Sequence, residues 1–388
     1  MKAANGAHTH KAARRRLKPQ HVFVFLAAGL FFAWEIHALV IAHRQRAAGL
    51  PDNYGNFDHV LRSIEKRPHE EPFSFAVVGD PHCSSTFVRM CARLRQEPLS
   101  FIVIVGDFSK RCRRPYHDFF QYQCNHTYGL SVPVLLVPGN RDVDYKHSYG
   151  SDISLDEFAA MYGPPNFAFE HGGCLFIGLC IFPLPASSEE GLNFLEATLA
   201  ARRDKNKNVF VFLHPPAMFK AGIPAGYFQD CPRFVDIVKR YRVDYVIAGH
   251  HHVYNAVEWA GTNYLVTGGG GAPLKETQSF GGLHHAVVFT VSRGSISQRA
   301  VLVRRRYIPA DGLARLSLVK LYPVLSRHPV DTAILNVAVL LLAAPAITAY
   351  LPKRRRTSHA DAAVEEETDQ LVAVTCGAEQ EEESEVHV

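Results

Sequence analysis

The chain has 388 residues, roughly two and a half domains at about 150 residues each, so a sizeable buried core is available and a small disulfide-held scaffold is excluded. With 47% hydrophobic and 20% charged residues, it is neither wholly disordered, nor collagenous, nor a coiled coil. The formal charge is +5, from 42 Lys/Arg against 37 Asp/Glu, which suits an anionic substrate or a membrane surface and falls far short of a nucleic-acid footprint.

That charge is unevenly spread. Residues 1–20 carry six Lys/Arg and no acid, and are read as a basic cytoplasmic N-terminus. Residues 21–43 (HVFVFLAAGLFFAWEIHALVIAH) have the length of a membrane-spanning helix, and Lys11, Arg14, Arg15, Arg16 and Lys18 precede them. Glu35 and His37 would each be costly in hydrocarbon, and a cleaved signal peptide with an apolar stretch from Val22 to Ala33 is the competing reading. The anchor is preferred because apolar character resumes after Glu35 and no small-x-small site directly follows Ala33.

After a connecting segment, 44–71, the region 72–305 alternates apolar runs with helical patterns, which predicts one α/β domain without internal repeats. The runs are continuous rather than alternating, as for strands buried on both faces: Phe73 to Gly79, Phe101 to Gly106, Val132 to Val137, Leu175 to Leu179, Val209 to Leu213, Tyr245 to Ala248, Tyr264 to Thr267, Ala286 to Val291 and Ala300 to Val303. Helical patterns cover Ser85 to Gln96, Leu155 to Tyr162 after a Ser154 cap, Leu192 to Arg203 and Pro232 to Tyr241. Seven of the eight cysteines lie in this region; Cys112 and Cys124 are the first candidate pair, and the others are read as paired or as small unpaired core residues. Asn125-His126-Thr127 is the sole glycosylation sequon, meaningful only if the region is lumenal.

A second connecting segment, 306–331, leads to residues 332–351 (TAILNVAVLLLAAPAITAYL), free of charge and closed by Lys353, Arg354, Arg355 and Arg356, which predicts a second transmembrane helix. Both basic clusters then face the cytoplasm, giving a multi-pass topology with the middle region on the other side, in a periplasm or an ER/Golgi lumen. Residues 352–388 hold ten Asp/Glu and little apolar surface, and are read as a disordered acidic tail.

The chemistry gathers at the strand ends: Gly79-Asp80-Pro81-His82, Gly106-Asp107, Gly139-Asn140-Arg141-Asp142, His214-Pro215-Pro216 and Gly249-His250-His251-His252. A single strand-end Asp or His is usually a cap or a turn former. Five such clusters, each past the carboxyl end of a buried strand, converge on the edge where α/β folds place a ligand crevice.

In this order and spacing the clusters resemble the calcineurin-like metallophosphoesterases, over about Phe73 to Arg305. Tyr162-Gly163-Pro164-Pro165, Leu213-His214-Pro215-Pro216 and Gly268 to Gly271 with Ala272-Pro273 look like the branch of purple acid phosphatases and class III cyclic nucleotide phosphodiesterases. The resemblance implies two facing mixed β-sheets flanked by helices. It also implies two divalent or mixed-valence ions, one held by Asp80, His82, Asp107 and His252 and the other by Asp107, Asn140, His214 and His250.

Elementary chemistry agrees, since one carboxylate can bridge two ions about 3.5–4 Å apart and a bridging hydroxide can then attack phosphorus in line. His250 and His252, read as an extended strand-end segment, are expected to point to opposite sides and so serve two ions from one short loop, while His251 points away. With imidazole and oxygen donors and no thiolate, Mn, Fe and Zn all fit. Cys83 is read as a buried structural thiol.

Arg141 departs from the family pattern, in which most members have a His that donates a proton to the leaving group. A guanidinium cannot do so but grips phosphate oxygens, and the same G-N-R-D run occurs in the UDP-diacylglucosamine pyrophosphatases of lipid A synthesis. Two readings stay open: Arg141 as a catalytic, substrate-binding clamp, or as a mere partner of Asp142 or Asp144. His285, with His284, either lines the substrate pocket or packs at a strand end.

The expected function is a membrane-anchored two-metal phosphoesterase acting on a diester, pyrophosphate or monoester, lipid- or glycan-linked. The alternative is a non-catalytic receptor or scaffold that keeps the fold. A nucleic-acid phosphodiesterase conflicts with the weak basic balance and the two apolar segments.

Overall fold

The computed structural model describes residues 18–55, 57–67, 72–146, 153–293, 295–307, 309 and 311–348. The chain divides into two compact units, 32–332 and a smaller one of 1–31 with 333–388. Helices α1 (Pro19–Ala48) and α2 (Phe57–Glu65) precede β1 (Phe73–Val78), α3 (Ser85–Leu94) and β2 (Phe101–Val105). Helix α4 (Arg114–Gln123) passes through a π-turn at Cys124–Tyr128 to β3 (Val134–Val137), α5 (Leu155–Tyr162), β4 (Phe167–His171) and β5 (Cys174–Gly178). Next come α6 (Glu189–Arg202), β6 (Asn208–Leu213), the hairpin β7 (Met218–Lys220) and β8 (Ile223–Pro224), α7 (Cys231–Arg240), β9 (Tyr245–Ala248), β10 (Tyr254–Trp259), β11 (Thr262–Thr267), β12 (His285–Ser292) and β13 (Ser295–Leu302). The described part closes with α8 (Gly312–Leu316), a π-turn at Ser317–Leu321, α9 (Tyr322–Arg327) and α10 (Pro329–Thr348).

Two mixed sheets, ordered β13-β12-β1-β2-β3 and β10-β11-β9-β6-β5-β4, form the larger unit. Strands β1, β2 and β3 run parallel, as do β5, β6, β9 and β11, so their carboxyl ends share one direction within each sheet. The apolar runs are continuous because each strand feeds two cores. Phe73, Phe75 and Val77 of β1, Phe101 and Val103 of β2, Phe176 of β5 and Phe210 and Phe212 of β6 share the core between the sheets. The alternate residues Ala76, Val78, Ile102 and Ile104 pack outward against Phe87 and Met90 of α3 and Phe119 and Phe120 of α4. Leu175, Ile177, Val209 and Val211 pack on Leu192, Leu195 and Leu199 of α6 and Phe234 and Ile237 of α7. Period-two geometry thus turns one apolar run into two packed faces.

Phe75 stands at the centre, stacked on Phe101 and Phe289 at 5.1 and 5.0 Å and edge-on to Phe176 and Phe210 at 5.2 and 5.1 Å. Phe75→Ala is expected to cost about 3–5 kcal/mol, because its rigid strand neighbours cannot close the void. The checking measurement is the shift in denaturant midpoint of the detergent-solubilised chain.

The expected facing sheets with outer helices are present, and each apolar run forms a strand. Ser154 caps α5 as expected, in a reciprocal pair with Glu157. Strands β4 and β10 were not anticipated. Both are sheet edges, and their interleaved Glu170, Asn255 and Glu258 break the apolar run. The Cys112–Cys124 pair is not formed, and no disulfide links the seven described cysteines. The ten-residue α4 between them is about 15 Å long, which keeps the two ends beyond disulfide reach.

The π-turn after α4 also ties down the sequon. Asn125 is half-buried and its Nδ2 donates to the Gly49 carbonyl at 2.8 Å, while the Thr127 hydroxyl donates to Asp311 at 2.8 Å. Helices α1 and α10 are each long and apolar enough to cross a membrane, although such helices also occur as signal sequences and buried core helices. Except for Lys18, the basic residues of the two flanking clusters, the acidic tail with Cys376, and residues 349–351 lie outside the described residues.

Candidate metal centre

Five strand-end loops meet at the carboxyl edges of β1, β2, β3, β6 and β9. They turn back sharply, and Asp80, His82, Asp107 and His250 sit at φ of 58°, 52°, 53° and 65°, a left-handed conformation that costs non-glycine residues about 1–3 kcal/mol each and clusters at functional sites. Close approach makes glycine obligatory beside them. A Cβ on Gly106, itself at φ 82°, would stand 2.3 Å from His214 Nδ1, and one on Gly139 would stand 2.2 Å from the Asp107 amide nitrogen. Gly139→Ala is therefore expected to displace Asp107 and abolish metal binding and turnover while the far-UV circular dichroism of the sheets survives.

All seven ligand candidates are brought together. Asp107 is buried; its Oδ1 lies 3.3 Å from His214 Nε2, and its Oδ2 lies 3.4 Å from His82 Nε2. On the His82 side, Asp80 Oδ1 lies 3.3 Å from His252 Nε2. On the His214 side, Asn140 Oδ1 lies 3.0 Å from His214 Nε2 and 2.9 Å from His250 Nδ1. The ligating atoms of Asp80, His82 and His252, and those of Asp80, Asp107 and His214, lie within 4.8 Å of one another.

The surroundings fix which atoms are available. His214 Nδ1 donates to the Val105 carbonyl at 2.9 Å and His252 Nδ1 to the Pro273 carbonyl at 2.6 Å, because a carbonyl only accepts. Each ring therefore turns its Nε2 toward the carboxylates, the arrangement seen around metal-bound histidines. Burial first, and then the neighbouring His214, push the His250 ring down to about 3, so it is neutral at physiological pH. Burial alone would raise the Asp107 carboxyl, but His214, His82 and the Arg141 backbone N–H outweigh it and keep Asp107 ionised. Asp80 Oδ1 is buried without a hydrogen bond, a costly state unless a cation takes its lone pairs. Two imidazole nitrogens, His214 Nε2 and His250 Nδ1, also face each other at 3.3 Å, where one cation would meet both.

Residues 73–254 match the family model for calcineurin-like phosphoesterases. Over that span, just under half of the chain, the domain is similar to this family, and its clustered Asp and His side chains offer ligand atoms for a metal ion. No curated protein matches the sequence.

Among solved structures, the yellow lupin purple acid phosphatase PPD1 is 17% identical, with 60% of this chain and 52% of that chain covered and a TM-score of 0.45. A dimetal phosphatase from Danio rerio is 13% identical, with 59% and 96% covered and a TM-score of 0.48. GAP50, the anchor in the inner membrane complex of Plasmodium, is 15% identical, with 65% and 95% covered and a TM-score of 0.43. The chain spans about half the length of the lupin enzyme.

Arg141 reaches the centre. Its backbone N–H donates to Asp107 Oδ1 at 2.8 Å, and its Nε lies 3.2 Å from Asp107 Oδ2, with 44% of the side chain exposed. It does not act as the partner of Asp142. That buried carboxylate instead staples two ligand loops, accepting from the Ser109 and Gly139 amides at 2.8 and 2.9 Å.

His285 is a correction. It is fully buried, with Nε2 on the Thr267 hydroxyl at 3.0 Å and Nδ1 on the Leu283 carbonyl at 2.8 Å, so neither nitrogen is left for substrate. His284 is buried as well, its Nδ1 on the Gly269 carbonyl at 3.2 Å. His251 turns away from the centre against Phe219, ring centroids 5.0 Å apart. Cys83 is a buried thiol donating to the Phe108 carbonyl.

Sequence reasoning missed Tyr227, whose ring packs edge-on against His250 at 5.5 Å, and the carbonyls of Val105 and Pro273 that orient two ligands. A Pro directly following the Gly268 to Ala272 run was the one available signal for the last.

Proposed function

We propose that the chain is a membrane-anchored two-metal phosphoesterase in which Asp80, His82, Asp107 and His252 hold one ion and Asp107, Asn140, His214 and His250 hold the other. The observation that carries this reading is Asp107, with one carboxylate oxygen turned to His214 and the other to His82. Two bound ions would supply Lewis-acid polarisation of phosphoryl oxygens and a shared water acidified to serve as nucleophile at neutral pH. The chain's residues do the rest: Asp107 sets the separation of the two sites, His214 and His252 are locked by backbone carbonyls, and Arg141 offers its fork to the phosphate. The all-nitrogen-and-oxygen donor set fits Mn, Fe or Zn.

The substrate is a phosphodiester, a pyrophosphate or a monoester with a good leaving group, carried by a membrane lipid or a glycan. Helices α1 and α10 are the anchors, residues 72–305 the catalytic domain, and that domain faces away from the cytosol. The supports are the apolar spans and the positions of the basic clusters in the sequence.

The test is full-length protein reconstituted with each metal and screened against monoesters, diesters, pyrophosphates and phospholipids. Two metal ions per chain and turnover of at least one class are expected. Fewer than two ions per chain in folded, inactive protein would replace this reading with the scaffold. A protease that reaches the 72–305 region only from the cytosolic side of sealed vesicles would overturn the topology.

A further inference from the structure

The stretch from Gly312 to Arg327 takes no part in the metal centre and has two unlike faces. Its helices α8 and α9 are joined through the π-turn without a break. Ala314, Ser317 and Leu318 point inward and join the core that contains Phe87 and Phe120. The Ser317 hydroxyl accepts from Trp34 Nε1 at 3.1 Å and meets His37 Nδ1 at 3.3 Å, which explains two of the polar side chains on α1. Leu313, Leu316 and Val324 point outward and are 58%, 49% and 51% exposed. Lys320 and Arg327 are exposed at matching helical spacing, so residues 313, 316, 320, 324 and 327 form one apolar and cationic stripe.

The charge around this stripe has one sign. From residue 302 to 327 there are six Lys/Arg and a single acid, Asp311, which already accepts from Thr127 and Gln123. Leu302 and Tyr307, on the approach, are 54% and 79% exposed. On the neighbouring loop Lys110 is held below its usual pKa, first by partial burial and then by Arg315, Arg111, Arg141 and Lys320. Arg141 in turn directs Nη1 to the Lys110 carbonyl at 3.5 Å, so the cations lead from the stripe to the metal centre. Only His328 separates α9 from α10, which is long and apolar enough to span a bilayer.

Exposed leucines with flanking cations on a helix leading directly into an apolar span match a helix lying in the headgroup layer, where apolar burial and attraction to anionic lipid add. We propose that Gly312–Arg327 is such an in-plane membrane contact, with Leu313, Leu316 and Val324 at the acyl boundary and Lys320 and Arg327 against the phosphates of anionic lipids. The occupant is the bilayer itself, by charge complementarity and by continuity with α10. This rests on the anchored reading above, and its test separates the two.

Full-length protein is placed in nanodiscs of phosphatidylcholine, with and without phosphatidylglycerol, each with brominated acyl chains. A fluorescent label is read at Leu316→Cys on the stripe and at Leu340→Cys on α10, after subtracting the signal of the unsubstituted chain. Both labels are expected to be quenched, with Leu316→Cys quenched more strongly when phosphatidylglycerol is present. Lys320→Gln and Arg327→Gln are each expected to lower the docked-to-undocked ratio about fivefold.

Quenching at Leu340→Cys without quenching at Leu316→Cys would overturn this contact and leave the anchor standing. Absence of quenching at both would overturn the anchor and the contact together. Equal quenching in the two lipid mixtures, unchanged by Lys320→Gln and Arg327→Gln, would remove the anionic selectivity on which the choice of occupant depends.

Discussion

Asp107→Asn is expected to lower kcat about a thousandfold or more, a loss of about 4 kcal/mol of transition-state stabilisation and more than either Asp80→Asn or His214→Ala produces. The reason is geometric. Asp80 pairs with His252 and His214 with Asn140, whereas Asp107 reaches His214 with one carboxylate oxygen and His82 with the other. An amide keeps the shape but loses the charge and turns an NH2 donor toward one of the two sites. The measurement pairs kcat with metal content, and loss of both ions is expected for Asp107→Asn against loss of one for His214→Ala. If the three variants retain comparable activity, Asp107 is not shared between the sites.

Arg141→Ala is expected to lower kcat/KM about 10²–10³-fold for all phosphate substrates, the range found when one preorganised donor to developing charge is removed. The substitution is clean because the backbone N–H of residue 141 still holds Asp107 Oδ1, so the ligand stays in place while the fork is lost. A guanidinium stabilises charge but gives up no proton, so the unmodified protein should depend steeply on leaving-group pKa, favouring aryl esters over alkyl monoesters. Arg141→His should flatten that dependence. A series of aryl and alkyl phosphates decides the matter, and undiminished rates in Arg141→Ala would leave Arg141 a structural partner of Asp107.

The parts of this protein that could be read from its sequence are those dictated by short-range rules. Each of the ligand-bearing loops follows a buried strand, and a turn there needs glycine next to a small polar residue, so Gly79-Asp80, Gly106-Asp107, Gly139-Asn140 and Gly249-His250 were visible as a set. What stayed hidden depends on neighbours far along the chain. His284 and His285 looked equally suited to a pocket, and only the partners Thr267 and Gly269 show that both are turned into the fold. The reach of Arg141 to Asp107 rather than to adjacent Asp142 could not be read either, because Asp142 is taken up by amides of Ser109 and Gly139 on two separate loops. Strands β4 and β10 escaped for a related reason: an edge strand shows solvent on one side and loses the apolar continuity that marks the centre of a sheet.

The engagement of Asn125 bears on how the proposed membrane orientation can be tested. A glycosyl transferase needs the asparagine amide free and extended, and here that amide is occupied by the Gly49 carbonyl while Thr127 is tied to Asp311. Once the chain has folded, Asn125 is therefore closed to the transferase, and glycan mapping should use a sequon added on an exposed loop, such as the one around Gln229.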